Sequence, residues 1–297
     1  MTLQPIIRRQ FTERDRAELQ ETIAQRVEQN ANYFLKRYEQ LPQSFKGCYI
    51  NSDLFKEIFP EYAASKEAKT RYNAVVHNAA AVLAAEQFRR IVADPLREGK
   101  KVIFLTGIPG AGKTSSIIIS GELAPDIKAV YEGQLSDAKF AIPKIQDVLD
   151  AALEPEIVAV HTPPERALEN TFKRFYETGR GAGIHVMAKI QGELPSGLAA
   201  IREHFGGTVH LKIIDRSDAT NTVIKTGWEN LDLLQKEGDY EYIKQRLTNA
   251  FHEARRTGRI SEACYLQANG NVPQQDYSKL RGVARQDSDR PRQDESG

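Results

Sequence analysis

The sequence predicts an α/β protein, a parallel sheet covered by helices on both faces with a phosphate-binding loop at one strand end. Three observations predict it. Continuous apolar runs at 47–51, 100–107, 127–133, 156–162 and 209–215 alternate with helix-like segments, and strands that are apolar throughout belong to sheets buried on both sides. The run KKVIFLTG leads straight into GIPGAGKT, which fits GxxxxGK[ST] in the strand–turn–helix context such a loop needs. The 297 residues are 40% hydrophobic and 27% charged, a balance that supports a proper core.

In chain order, residues 12–41 read as one helix with Thr12 as N-cap. Leu19, Ile23, Val27, Ala31, Phe34 and Tyr38 recur at helical spacing up to Pro42, a stripe read as packing rather than docking. The strand at 47–51 breaks at Asn51-Ser52-Asp53 and turns into a helix-like segment. Residues 63–92 are Ala-rich and predict one or two helices. A helix from Lys113 to about Leu123 follows the glycine-rich turn, and another covers 143–153. In HTPPERALENTFKRFYETGRGAG, Thr162 and Glu165 form a capping box, Pro163 opens the helix and Gly179 closes it. Helices at 228–236 and 239–257 follow, the second with Ile243, Leu247, Ala250, Phe251 and Ala254 on one face. The chain therefore divides into an N-terminal helical segment (1–45), the phosphate-binding α/β unit (46–218), its helical extension (219–272) and a polar, disordered tail (273–297).

A net charge of +1 gives no electrostatic case for nucleic acid or an anionic membrane. The N-terminus places charges where a signal peptide needs an apolar stretch, and no segment approaches 18 apolar residues, so a cytoplasmic protein is expected. Cys48 and Cys264 stand far apart without CxxC spacing and read as reduced thiols, Cys48 as a buried one in its strand. His77, His161, His185, His204, His210 and His252 show neither metal-ligand spacing nor a serine partner.

The chemistry lies in the loop and two carboxylates. Gly107, Gly110, Ala111 and Gly112 let backbone N–H groups curl around phosphate oxygens. Lys113 reaches the β- and γ-phosphates of ATP, Thr114 ligands Mg²⁺, and Ser115 lies in the first helical turn. No later strand ends as a persuasive second magnesium anchor: 127–133 ends in Glu132, 156–162 in His161-Thr162, and only 209–215 in an aspartate, Asp215. That favours a small-molecule kinase over a motor or switch, with Asp53 and Glu132 competing to face the acceptor hydroxyl. Phosphoryl transfer also needs cations. Arg166, Asn170 and Arg174 share one helix face with Lys173 beside them, and Arg180 follows in a Gly-flanked loop, the pattern of a mobile lid or, more plainly, of a solvated helix.

Four stretches together resemble the zeta-toxin family of P-loop kinases, toxins of toxin–antitoxin modules that phosphorylate UDP-N-acetylglucosamine with ATP: GIPGAGKT, YINSDLFKEIFPEY, AVYEG, and the arginine segment from RFYE through GRGAGIHVMAK. The resemblance covers roughly 45–218. It implies a P-loop kinase-like sheet with extra terminal helices. Lys113 and Thr114 would hold phosphates and Mg²⁺, and Asp53 would orient or deprotonate the acceptor hydroxyl. Glu132, with Lys56, would help fix a sugar nucleotide, and Arg174 and Arg180 would clamp phosphates. It also implies an antitoxin partner, for which the 12–41 helix is the expected contact. The chain departs from the family in order, since its aspartate motif precedes the P-loop. It also has Lys56 for an arginine, Phe59 for a histidine and Gln134 for a threonine, and lacks an arginine expected shortly after Gln134. The remaining readings are a kinase of another nucleotide-type acceptor and a non-catalytic ATP-binding interaction protein.

Overall fold

A computed structural model describes residues 3–118 and 121–269, so the tail expected to be disordered lies outside the described residues. The elements are α1 (Arg14–Gln29), α2 (Ala31–Glu39), β1 (Tyr49–Asn51), α3 (Ser52–Phe55), α4 (Pro60–Ala63), α5 (Lys66–Ala93), β2 (Lys101–Thr106), α6 (Thr114–Ile117), β3 (Ile127–Glu132), α7 (Ala138–Asp150) and β4 (Glu154–His161). They continue with α8 (Pro164–Thr178), α9 (Ile184–Phe205), β5 (His210–Asp215), β6 (Val223–Thr226), α10 (Asp232–Gln235), α11 (Tyr240–Arg256) and α12 (Glu262–Ala268).

Six strands form one sheet in the order β1–β3–β2–β4–β5–β6. The first five run parallel, and β6 pairs antiparallel with β5. Because side chains alternate across a strand, the sheet feeds two cores. Val102, Phe104, Ala129, Ile157 and Ile213 pack with α1, α2, α5 and α7 on one face. Ile103, Leu105, Val130, Val158 and Ile214 pack with α8, α11 and α12 on the other. Helix α9 serves both, Leu194 and Leu198 in the first core and Met187 and Ile190 in the second. The α/β class, the parallel sheet and the flanking helices are those the sequence predicts. Among the described residues no helix is long and apolar enough to cross a membrane.

The differences have local causes. The single helix expected over 12–41 is two, because Asn30 leaves helical geometry and its side chain accepts the Tyr33 N–H as the cap of α2. The expected packing stripe still points inward: Ile23, Val27, Phe34 and Tyr38 are buried in the same core as Phe55, Phe59 and Tyr62, so the N-terminal helices share the core of the sheet. Residues 63–92 give one long helix, α5, capped by Ser65. The helix after the P-loop stops at Ile117, with the β-branched Ile118 already extended, rather than running to Leu123. Cys48 and Cys264 are not joined to each other, and Cys48 is partly exposed rather than buried.

Helix α9 and strand β6 are absent from the sequence expectations. Gly192, Pro195 and Gly197 hide the periodicity of α9, yet the two glycines are what its packing requires. A Cβ at Gly192 would lie 2.6 Å from the Tyr240 nitrogen, and one at Gly197 would lie 2.1 Å from the Leu135 carbonyl oxygen. Strand β6 is four residues at the sheet edge with Ile224 exposed, too short for an alternation signal.

Candidate functional site

The topology brings three strand ends together. Asn51 on edge strand β1 lies opposite Glu132 on β3, and Glu132 lies opposite Leu105 on β2, just before the P-loop. The carboxyl edge of a parallel sheet is where such folds bind ligands. A cleft of about 580 Å³ opens there, within the range of small-molecule sites. It is lined by Asp53, Gly110, Gly112, Lys113, Thr114, Ser115, Glu132, Arg174 and Arg180, together with Tyr49, Asn51 and Asn170.

The loop is built as its sequence requires. Gly107, Gly110 and Gly112 hold positive φ values of 136°, 83° and 83°. A Cβ at Gly107 would stand 2.4 Å from the Val160 carbonyl oxygen, and one at Gly110 would stand 2.1 Å from that of Ala167. The loop carbonyls are tied from outside. Thr162 Oγ1 donates to the Ala111 oxygen at 3.1 Å and Asn170 Nδ2 to the Gly110 oxygen at 2.8 Å. Lys113 Nζ curls back to the Gly107 and Ile108 oxygens at 2.9 and 3.1 Å, and Ser115 Oγ donates to the Gly112 oxygen at 2.9 Å.

Glu132 stands on the loop side of the cleft. Its carboxylate is 3.4 Å from Lys113 Nζ, accepts from Asn51 Nδ2 at 2.7 Å and from the Tyr49 hydroxyl, and that hydroxyl lies 3.0 Å from Thr114 Oγ1. A hard cation bound chiefly by phosphates and one or two protein oxygens fits this donor set. Glu132 is expected to face the acceptor; the strand order places it beside the loop, because β3 pairs with β2 and brings its carboxylate to the Lys113 and Thr114 side of the cleft.

Asp53 follows β1, where Asn51 caps α3 by accepting the Asp53 and Leu54 N–H groups at 2.7 and 3.2 Å. Its half-exposed carboxylate meets three cations: Lys56 Nζ at 2.8 Å, Arg180 Nη2 at 2.7 Å and Arg174 Nη2 at 3.4 Å. Burial alone would raise its pKa, but these cations outweigh it and hold the carboxyl well below the usual carboxylate range. Lys56, expected to touch the acceptor, does not line the cleft. It is buried beneath Asp53 and donates to Asn73 Oδ1 at 2.7 Å, so it positions the carboxylate. Burial pushes its ammonium below the ordinary value while Asp53 opposes that shift.

Arg174 sits on a helix packed against the rest of the chain, and Arg180 follows just after its end. Ala167, Leu168 and Phe172 of α8 are buried, with Phe172 6.0 Å from the ring of Phe251 on α11. The expected capping box does not form: the helix opens at Pro164 with Pro163 as its cap residue. The Thr162 hydroxyl goes to the P-loop, and Glu165 pairs with Arg246 at 2.7 Å. At the other end Gly179 takes a left-handed conformation and its carbonyl accepts from Thr70 Oγ1 at 2.9 Å, which aims Arg180 back at Asp53 and at Glu57, 3.6 Å away. Lys173 faces outward and pairs with Glu177. Arg166 does not join Asp53. It lines a separate cavity of about 230 Å³ with Arg216, Asp218 and the outer side of the loop. Arg216 Nη1 lies 3.3 Å from Ser115 Oγ, a cation beside the loop that sequence reading missed.

Tyr49, Asn51 and Thr162 were also missed. The first two lie two apart on β1, a same-face spacing readable in CYINSD. Among the described residues no group of three or more His, Cys, Asp or Glu could hold a metal by itself. His161 is buried, with Nε2 3.3 Å from Glu237, away from the cleft lining.

Fold and site thus define an α/β protein with a glycine-rich P-loop turn, an opposed carboxylate and an arginine pair. No protein-family model matches the sequence, and no curated protein matches it. Among solved structures, the native AvrRxo1-ORF1:-ORF2 complex contains a similar chain at 13% identity, with 88% of this chain and 90% of that one covered and a TM-score of 0.43.

Proposed function

We propose that the protein is a kinase that transfers the terminal phosphoryl group of ATP to a hydroxyl of a small molecule bound beside Asp53. The observation that carries this reading is the single cleft in which Lys113, Thr114 and Glu132 face Asp53, Arg174 and Arg180. The loop and Lys113 bind the donor phosphates, and Arg174 and Arg180 stand where charge spreads over the moving group. Thr114, with Glu132 at hand, would hold Mg²⁺, which would supply positive charge to the donor phosphates. The acceptor oxygen forms the new P–O bond as the bond to ADP breaks, and the hydroxyl proton passes toward Asp53. With three cations around it Asp53 is a poor base. When the arginines move onto the donor phosphates it keeps only Lys56, and its basicity rises as the donor seats.

UDP-N-acetylglucosamine is the acceptor implied by the zeta-toxin resemblance and the first to test. The same resemblance gives the protein the role of a toxin with an antitoxin partner. ADP release from MgATP should depend on acceptor and vanish in Lys113→Ala and Asp53→Ala. Expression should slow growth, and Lys113→Ala should relieve it. Turnover that survives Lys113→Ala sinks the reading, and MgATP binding without turnover on any metabolite pool would leave an ATP-binding interaction protein.

A further inference from the structure

We propose that Tyr49 is a positioning residue for the metal ligand of the site: its hydroxyl accepts the hydroxyl hydrogen of Thr114 and so keeps the lone pairs of that oxygen free for Mg²⁺. This rests on the kinase reading above and gives a role to a residue which that reading leaves unused. A hydroxyl has one hydrogen to donate and two lone pairs with which to accept, so counting hydrogens fixes the direction of each bond. The Tyr49 hydroxyl lies between the Glu132 carboxylate, to which it donates, and Thr114 Oγ1 at 3.0 Å. A carboxylate can only accept, so Tyr49 spends its hydrogen on Glu132 and can only accept from Thr114. The Thr114 hydrogen therefore points at Tyr49, and its lone pairs are left to a cation. The next two hydroxyls show the alternative. Ser115 and Ser116 both turn their hydrogens back onto the Gly112 oxygen at 2.9 Å. Short hydroxyl side chains in a helical turn readily make such backbone bonds. Tyr49 holds Thr114 away from them.

Tyr49 is itself fixed on every side. Its ring is buried in the core that contains Leu105 and Val130, its backbone pairs β1 with Val130 of β3, and its carbonyl accepts the Tyr38 hydroxyl at 2.6 Å. Burial, reinforced by Glu132, raises the pKa of the hydroxyl, so it keeps its hydrogen and its donor role toward Glu132. Asn51 Nδ2 donates at 2.7 Å to the same Glu132 oxygen that Tyr49 uses, whereas the other oxygen faces Lys113 at 3.4 Å. Strand β1 thus grips Glu132 by one oxygen and leaves the second to the loop. Partners that orient a metal ligand in this way are worth about 10–100-fold in metal affinity.

The test uses the full chain and a non-hydrolysable ATP analogue, titrated in EDTA and at rising MgCl₂, with Mn²⁺ electron paramagnetic resonance as a second reading of bound metal. Tyr49→Phe keeps the ring and loses only the hydroxyl. It should leave metal-free binding of the analogue within about twofold and raise the Mg²⁺ concentration at half-saturation about tenfold or more. Thr114→Val keeps the shape and loses the ligand. It should weaken Mg²⁺ at least as much, and adding Tyr49→Phe to it should change nothing further. An unchanged Mg²⁺ half-saturation in a folded Tyr49→Phe protein overturns the proposal, as does an equal loss of metal-free and metal-bound affinity. So does a Thr114→Val protein with wild-type Mg²⁺ dependence, or a double variant in which the two losses add. Failure of the kinase reading looks different: the analogue would bind no better to the wild type than to Lys113→Ala, with or without Mg²⁺.

Discussion

Asp53→Asn should abolish phosphoryl transfer and yet tighten nucleotide binding. Arg180 and Arg174 reach Asp53 at 2.7 and 3.4 Å, and on the proposed kinase reading the same guanidiniums engage the donor triphosphate. Donor binding therefore has to loosen two ion pairs that the asparagine variant lacks. In a medium of effective dielectric about 20, unit charges 4 Å apart attract by about 4 kcal/mol. Solvent screens much of this, since the Asp53 side chain is 43% exposed and that of Arg174 is 37% exposed; fully exposed pairs are worth only about 0.2–1 kcal/mol. Arg180, at 16%, is the better shielded partner. A net of about 1 kcal/mol follows, which is roughly fivefold in affinity. Titration calorimetry with Mg²⁺ and a non-hydrolysable ATP analogue measures it in wild type, Asp53→Asn, Arg180→Ala and the double variant. Arg180→Ala should cost more affinity in the Asp53→Asn background, because there the arginine has no ion pair to give up. Equal or weaker binding by Asp53→Asn would refute the exchange and with it the view that the donor releases the acceptor carboxylate.

Other outcomes follow from single contacts. Burial holds His77 down to about 4, helped by Lys56 and Arg9 and opposed by Asp53. The unfolded chain takes up that proton near pH 6.5 and the folded one only near 4, so this stabilisation is complete above about 6.5 and declines as pH falls toward 4, by up to about 3 kcal/mol. Thermal melts of His77→Gln should therefore decline less steeply over that window. Tyr38→Phe removes a hydroxyl that donates to the Tyr49 oxygen at 2.6 Å and accepts from the Asn51 N–H at 3.1 Å, and should cost about 1–3 kcal/mol in denaturant unfolding. Gly179→Ala, at φ 74° with its Cβ 2.5 Å from the Lys66 oxygen, should lower stability by about 1–2 kcal/mol. It should also cut turnover by displacing Arg180, readable as a kcat loss beyond the shift in melting.

How far each of these residues could be read beforehand depends on how far away its partners lie. The P-loop is legible because its geometry is made by closely spaced glycines and the helix start they lead into. Asp53 is legible as the residue where an apolar run stops. Glu132 is a harder case: its strand says only that a carboxylate ends it, and the side of the cleft it faces is set by β3 lying between β1 and β2. Lys56 reads as an acceptor contact and becomes a buried support only through Asn73, contributed by α5. Arg166 and Arg174 show the limit most clearly. Eight residues apart, they share a helix face by periodicity, but about 12 Å of helix axis separates them. The anchoring of α8 sets which end overlooks Asp53. Asn170 is bonded to the Gly110 oxygen midway between the two arginines, so Arg166 is left beside Arg216 on the outer side of the loop and Arg174 beside Asp53. If that anchor sets the division, Asn170→Ala should weaken nucleotide binding and acceptor turnover together, whereas Arg166→Ala should weaken nucleotide binding alone.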